Sequence, residues 1–150
     1  MYLIDTNILI ADILSKYETD KISRKYRKFY SKISLSERII TDFILGEFEQ
    51  FISQVFPHRY KVSHEKGKEI DEALHVFLSE AIHTFTLDYA STFTTIKASA
   101  LYGKFLNIHP IGFFDSLLLS LAQEKSYVLL TQDKRLTACA QELKIEFVNL

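Results

Sequence analysis

The sequence is poor in the residues that mark several common designs. One cysteine, Cys139, stands in 150 residues, so an internal disulfide is excluded, and no Cys/His spacing of the zinc-binding type occurs. Four glycines and two prolines leave no linker, low-complexity tract or repeat. No apolar run approaches the roughly 20 residues needed to cross a bilayer, and the amino terminus lacks a signal-peptide pattern. A reducing, cytoplasmic setting without a membrane partner is therefore expected. Net charge is nearly absent as well, at −1, and names no partner. What remains is a globular composition, 47% apolar and 25% charged, in a length that suits one domain over residues 1–150.

The first ten residues carry the clearest local signal. Tyr2, Leu3 and Ile4 form an apolar run without polar alternation, as expected of a strand buried on both faces of a parallel sheet. Asp5-Thr6-Asn7 breaks the run, and Ile8 to Leu14 reads as a helix. A carboxylate is thus expected at the carboxyl end of a central strand, where open α/β sheets place their ligands. A plain helix start, with Thr6 or Asn7 as N-cap, explains the polar break but leaves Asp5 one residue early.

Strand and helix patterns then alternate. In residues 21–33, Ile22, Tyr26, Phe29, Tyr30 and Ile33 share a helical face, while Lys21, Arg24, Lys25, Arg27, Lys28 and Lys32 cover the rest. Such a basic face is either solvated surface or a grip for nucleic-acid phosphates. Arg38 to Thr41 reads as a strand, and Thr41 or Asp42 caps a helix with Ile44, Phe48, Phe51, Ile52 and Val55 as its apolar stripe. Glu47 lies on the edge of that stripe, where an unpaired carboxylate is costly unless it reaches past Phe43 and Phe51 to water. Gly46 costs about 1 kcal/mol against Ala in a helix interior and suggests that another backbone passes close by.

Pro57 ends that helix, and a polar connection leads to a helix over Glu65–Ile82 with His75 on its solvent side. His83 to Leu87 reads as a third strand, with Asp88 capping a helix from Tyr89 to about Asn107. After a break at residues 109–112, Phe114-Asp115-Ser116 opens a helix that is apolar nearly all round. Asp115 lies in its first turn, where the helix dipole also favours an acid. Tyr127 to Leu130 is another apolar strand, Asp133 is placed to cap a helix over Lys134–Leu143, and Ile145 to Val148 forms the last strand.

Four acids repeat one arrangement. Asp5 and Asp133 closely follow apolar strands, and Glu47 and Asp115 sit on apolar-flanked rows near helix starts. In an alternating α/β chain all four can meet at one sheet edge. Carboxylates crowded within a few Å repel by about 1–4 kcal/mol per pair. Such a cluster makes sense around a divalent cation, and oxygen-only ligation suits Mg²⁺ or Mn²⁺ rather than zinc.

With Ile4-Asp5-Thr6-Asn7, Gly46-Glu47, Phe114-Asp115-Ser116-Leu117-Leu118 and Leu130-Thr131-Gln132-Asp133 in this order, nearly the whole chain resembles the PIN-domain ribonucleases, and among them the small VapC-like toxins. The resemblance implies a single α/β domain with a five-stranded parallel sheet and helices on both faces. It implies an acidic site of Asp5, Glu47, Asp115 and Asp133, supported by Thr6, Asn7 and Thr131, that holds one or two Mg²⁺ or Mn²⁺ ions. The implied activity is hydrolysis of RNA to 5′-phosphate and 3′-hydroxyl ends without a histidine base. RNA, a small antitoxin protein and a second copy of the chain are the implied partners. Lys134 and Arg135 are further candidates for phosphate contact.

Two departures stand out. Arg135 occupies a position where the family often has another acid, and Phe113 and Phe114 precede Asp115 where polar residues are common. The stretch from Pro57 to Ile82 is long for a minimal toxin. A phospho-accepting receiver domain fits less well, because it calls for an acidic pair before the acceptor strand and a Lys ending the last one. Position 7 is Asn, which removes the Asp-x-Asp of haloacid-dehalogenase-like phosphatases. A non-catalytic PIN-like module that binds RNA or protein is the remaining alternative, and the intact acids argue against it.

Overall fold

The structure is a computed structural model that describes residues 1–14, 29–55 and 64–149. At its centre lies β1 (Tyr2–Ile4), paired in parallel with β2 (Arg38–Thr41) on one side and β4 (Val128–Thr131) on the other. β3 (Thr86–Asp88) and β5 (Phe147–Asn149) complete a five-stranded sheet of order β3-β2-β1-β4-β5, parallel at every pairing. Successive strand residues point to opposite faces. Leu3 and Ile4, Ile39 and Ile40, and Leu129 and Leu130 are all fully buried, so helices cover both faces, as the unalternating apolar runs imply. The chain moves outward from β1 through β2 to β3, then returns to the other side of β1 as β4. The switch point therefore falls between β1 and β4. A receiver-like sheet has the order 2-1-3-4-5, which this is not.

Six α-helices connect the strands among the described residues: α1 (Thr6–Leu14), α2 (Asp42–Gln50), α3 (His64–Thr84), α4 (Thr92–Phe105), α5 (Phe113–Lys125) and α6 (Lys134–Glu142). A π-helical turn, Phe51–Val55, prolongs α2. Ile8 and Leu9 of α1, Ile44 and Phe48 of α2, Leu118 and Leu119 of α5, and Leu136 and Cys139 of α6 close the core over the sheet. The buried Cys139 thiol is pushed up to about 11 by burial and nearby acids, so it is a packing residue.

Several expectations need correction. Helix α1 begins at Thr6, so neither Thr6 nor Asn7 is its cap, and Asp5 is the residue that flanks it. The third strand starts at Thr86 rather than His83, because α3 continues to Thr84 and Phe85 packs edge-on against Phe77. Asp88 ends that strand and caps nothing; Ser91 caps α4 by accepting from the Thr94 N–H, and Asp88 accepts from the Tyr127 hydroxyl at 2.9 Å. The last two strands each begin later than expected, at Val128 and Phe147. No backbone approaches Gly46 among the described residues: a Cβ there meets nothing within 4 Å, on an exposed side of α2. Most of the basic helix, including Arg24, Lys25, Arg27 and Lys28, and the connection after Pro57 lie outside the described residues.

Candidate acidic site

Asp5 follows β1 directly, and its backbone N–H donates to the Leu130 carbonyl at 3.0 Å, so the strand pairing itself fixes its position. Thr131, the last residue of β4, donates its hydroxyl to Asp5 Oδ2. Asn7 ties the two strand ends together: Nδ2 donates to Asp5 Oδ2 at 2.6 Å and to Thr131 Oγ1 at 3.3 Å, and Oδ1 accepts from the Gln132 N–H at 3.2 Å. The Thr131 hydroxyl oxygen also accepts from the Asp133 N–H at 3.0 Å, which turns the chain into α6.

The other acids come from helix starts and from α2. Glu47 sits one helical turn after Phe43, and its Oε2 accepts from the Thr6 hydroxyl at 2.7 Å. That bond gives the carboxylate among Phe rings a partner in Thr6. Asp115 Oδ2 accepts from the Gly112 N–H at 2.7 Å, closing the first turn of α5. Asp133 is the N-cap of α6, with Oδ1 accepting from the N–H of Arg135 at 2.6 Å and of Leu136 at 3.3 Å. Asp5, Thr6, Asn7, Glu47, Asp115 and Asp133 line one cleft of about 290 Å³, together with Ile10, Gln50 and Phe51. A second cleft of about 330 Å³ between Ala122 and Glu146 has no such set of acids and carries no comparable chemistry.

The electrostatics are uneven. Burial, opposed by the Thr131 hydrogen bond and reinforced by the charges of Asp115 and Glu47, raises Asp5 from 3.8 to about 7. Glu47 is raised by burial, against the Thr6 hydrogen bond and with the charge of Asp115. Asp115 is also raised by burial, against the Gly112 N–H. Asp133 goes the other way: burial pushes it up, but the N–H groups of Arg135 and Leu136 and the Arg135 guanidinium hold it below the ordinary carboxylate value. The amino ends of α1, α5 and α6 all meet the cleft, and their partial positive charge eases the crowding.

The site's oxygens fit a hard divalent cation by type, with no sulfur or imidazole among the lining residues. Thr6 takes one oxygen of Glu47 and Gly112 one oxygen of Asp115, while the second oxygen of each accepts no hydrogen bond among the described residues. The carboxylates are nonetheless turned toward their own donors. Among the described residues no three His, Cys, Asp or Glu side chains are gathered closely enough to hold a metal ion. To hold one ion jointly, these side chains would have to converge further.

All four acids singled out in the sequence line the cleft, and Thr6, Asn7 and Thr131 make the supporting hydrogen bonds. Arg135 is tied to Asp133 at 3.3 Å, whereas Lys134 is exposed at the start of α6. Sequence reasoning misses Gln50 and the Gly112 N–H. Gln50 lies three residues after Glu47 on the same face of α2, a spacing that could have flagged it. The Gly112 N–H leaves no mark in a sequence.

The fold and the carboxylate-lined cleft at its strand switch define a doubly wound α/β protein with an acidic site. The family pattern of the PIN domain matches residues 2–142, and the chain belongs to that family. Among solved structures it is similar to FitAcB from Neisseria gonorrhoeae, with a TM-score of 0.71 at 13% identity, over 99% of this chain and 97% of that one. It is similar to VapBC2 from Rickettsia felis bound to a DNA fragment from their promoter, with TM-score 0.60, 19% identity and coverage of 99% and 98%. VapC20 from Mycobacterium tuberculosis, described as a sarcin-ricin loop cleaving toxin, gives TM-score 0.64 at 11% identity, with coverage of 92% and 94%. At these identities the likeness is one of fold. Curated protein sequences offer no match.

Proposed function

We propose that the chain is a metal-dependent endoribonuclease, the toxin of a toxin–antitoxin pair. The observation that carries this reading is the convergence of Asp5, Glu47, Asp115 and Asp133 on one cleft at the strand switch, with the most buried of them raised to about 7. A buried carboxylate held so far from its ordinary value is poised to take up a cation, whether a proton or a metal. Asp5, Glu47, Asp115 and Asp133 would hold one or two Mg²⁺ or Mn²⁺ ions. Bound there, the metal would supply charge neutralisation at a phosphodiester and a more acidic water.

The chain's own groups set the geometry. Thr131 and Asn7 hold Asp5 in one orientation, Thr6 holds Glu47, and Gly112 holds Asp115. The solved neighbours support the partner side of the reading, since VapBC2 is described with a promoter DNA fragment and another neighbour as a toxin–antitoxin complex from Klebsiella pneumoniae. A small DNA-binding antitoxin is therefore the expected protein partner, and cellular RNA in the cytoplasm the expected substrate. Phe93 and Ile96, exposed by 64% and 65% on α4, offer apolar surface to a protein partner, which on this reading is the antitoxin or a second copy of the chain. No described helix is long and apolar enough to cross a membrane.

The test is incubation of the purified chain with RNA in Mn²⁺ or in a chelator, followed by end-group analysis. The reading predicts metal-dependent fragments with 5′-phosphate and 3′-hydroxyl ends. Binding of RNA without cleavage under any divalent metal would favour the non-catalytic module instead.

A further inference from the structure

An aromatic pair neighbours the acids of the cleft along the chain. No Lys or Arg lines the cleft among the described residues, and Arg135 beside it is held on Asp133. Phe114, the residue immediately before Asp115, is 44% exposed. Its ring lies parallel to that of Phe43, with planes within 4° and centroids 6.2 Å apart. Phe43 stands on α2 four residues before Glu47, about one 5.4 Å helical turn away on the same face. One ring of the stacked pair thus adjoins Asp115 in sequence, and the other stands one helical turn from Glu47. Phe113, by contrast, turns to Tyr102, edge-on at 6.3 Å, and belongs to a different part of the surface.

Exposing a ring of this size at a helix start does nothing for the core. Its apolar surface is available to something that arrives from outside. We propose that the Phe43–Phe114 pair is a stacking platform for an unpaired base of the RNA strand whose phosphodiester enters the acidic cleft. The proposal rests on the nuclease reading above. The acids that line the cleft repel a phosphate, and no Lys or Arg among the lining residues offsets them, so an attraction that does not depend on charge adds to what the metal would supply. Base–aromatic stacking supplies one, and it tolerates any base because each has a π-face. A single strand presents phosphate and base side by side, which matches carboxylate and ring on adjacent residues.

The test uses the full chain carrying Asp5→Asn, so that RNA is bound but not cut, and a single-stranded RNA 12-mer containing 2-aminopurine. Stacking quenches this base. With the Phe pair intact, binding should quench it. Phe114→Leu keeps an apolar side chain at a part-exposed position and should weaken binding about tenfold and remove the quench. The salt dependence should not change, because every phosphate interaction is kept. Phe114→Tyr should restore both affinity and quench. If Phe114→Leu does not fold, Phe43→Leu carries the same expectations.

Unchanged affinity and quench in the Leu variant overturn the platform. So does a Leu variant that binds RNA normally but sediments with an altered oligomeric state, which marks the rings as a protein interface. Mn²⁺-dependent cleavage by the unmodified chain, with cleavage by Phe114→Leu indistinguishable from it, overturns the platform alone. Absence of both binding and cleavage by the unmodified chain overturns the nuclease reading and the platform together.

Discussion

The Thr131 hydroxyl donates to Oδ2 of Asp5 across 126 positions of sequence, joining the ends of the two strands that flank the switch point. This hydrogen bond orients the most buried acid in the cleft and moderates its protonation. It opposes burial, which raises Asp5 to about 7. The same hydroxyl oxygen accepts from Asn7 and from the Asp133 N–H, so one small side chain connects Asp5 with the turn that carries Asp133.

Replacing Thr131 with Val keeps the volume and removes these bonds. The Asp133 N–H is left without its acceptor, while the Asn7 amide keeps Asp5, at a cost of about 1–3 kcal/mol of stability. Asp5 should rise further above about 7, so the pH profile of RNA cleavage should move to higher pH. Thr131→Ser should restore the profile. A Val variant with an unshifted profile removes Thr131 from the control of Asp5.

The metal-free protein should be more stable in mild acid than at neutral pH. With Asp5 at about 7 when folded and 3.8 as its reference, the folded chain holds a proton that the unfolded chain releases between these values. The stability so contributed is fully present below about 3.8 and lost as pH rises through about 7. Glu47 and Asp115, also raised, act in the same direction. Asp133, held low, acts in the opposite one, its contribution disappearing as pH falls. Between pH 5 and pH 8, Asp5→Asn should flatten the dependence by about 2.7 kcal/mol, at 1.36 kcal/mol for each of the two pKa units below about 7. Thermal melts in chelator from pH 5 to pH 8 check this, and a wild-type curve already flat over that range contradicts it.

On the nuclease reading, Mn²⁺ or Mg²⁺ should bind the native cluster better than the unfolded chain. At 100 times the dissociation constant the gain is about 2.7 kcal/mol, roughly 5–10 °C in melting temperature for a chain of this size. Asp115→Asn leaves an acceptor for the Gly112 N–H, stabilises the apo form slightly by relieving repulsion, and removes most of the metal-induced shift. A purely capping Asp115 instead predicts a small loss of stability and an undiminished metal response.

The basic segment before β2 makes a separate prediction. If Arg24, Lys25, Arg27 and Lys28 meet phosphates, neutralising them weakens RNA binding. On a single strand the salt slope then falls by about 0.7 for each phosphate no longer neutralised. An unchanged slope returns these residues to solvated surface.

Much of the site is legible in the sequence because it follows from local rules. Leu3-Ile4 and Leu129-Leu130 are buried on both faces, so their unalternating runs name the central strands and the acids just beyond them. Asp133 is readable as a cap for the same reason. Tertiary partners are not readable: Thr6, 41 residues from Glu47, is what makes that carboxylate tolerable on α2. The pattern misplaces the edge strand β3 because it has only three residues, half-buried or exposed, and follows a helix that runs on to Thr84. Gly46 misleads because a helical glycine suggests a neighbouring backbone, where the described residues leave open space.

The central claim, that the acidic cleft cleaves RNA with a divalent metal, is tested most directly by one pair of assays. Wild type and Asp5→Asn are compared for Mn²⁺-dependent cleavage of RNA, with matched melting curves to show that both are folded. The predicted result is cleavage by wild type, its loss in chelator, and its abolition in a folded Asp5→Asn protein. Cleavage at the wild-type rate by folded Asp5→Asn, or its persistence in chelator, would contradict the account.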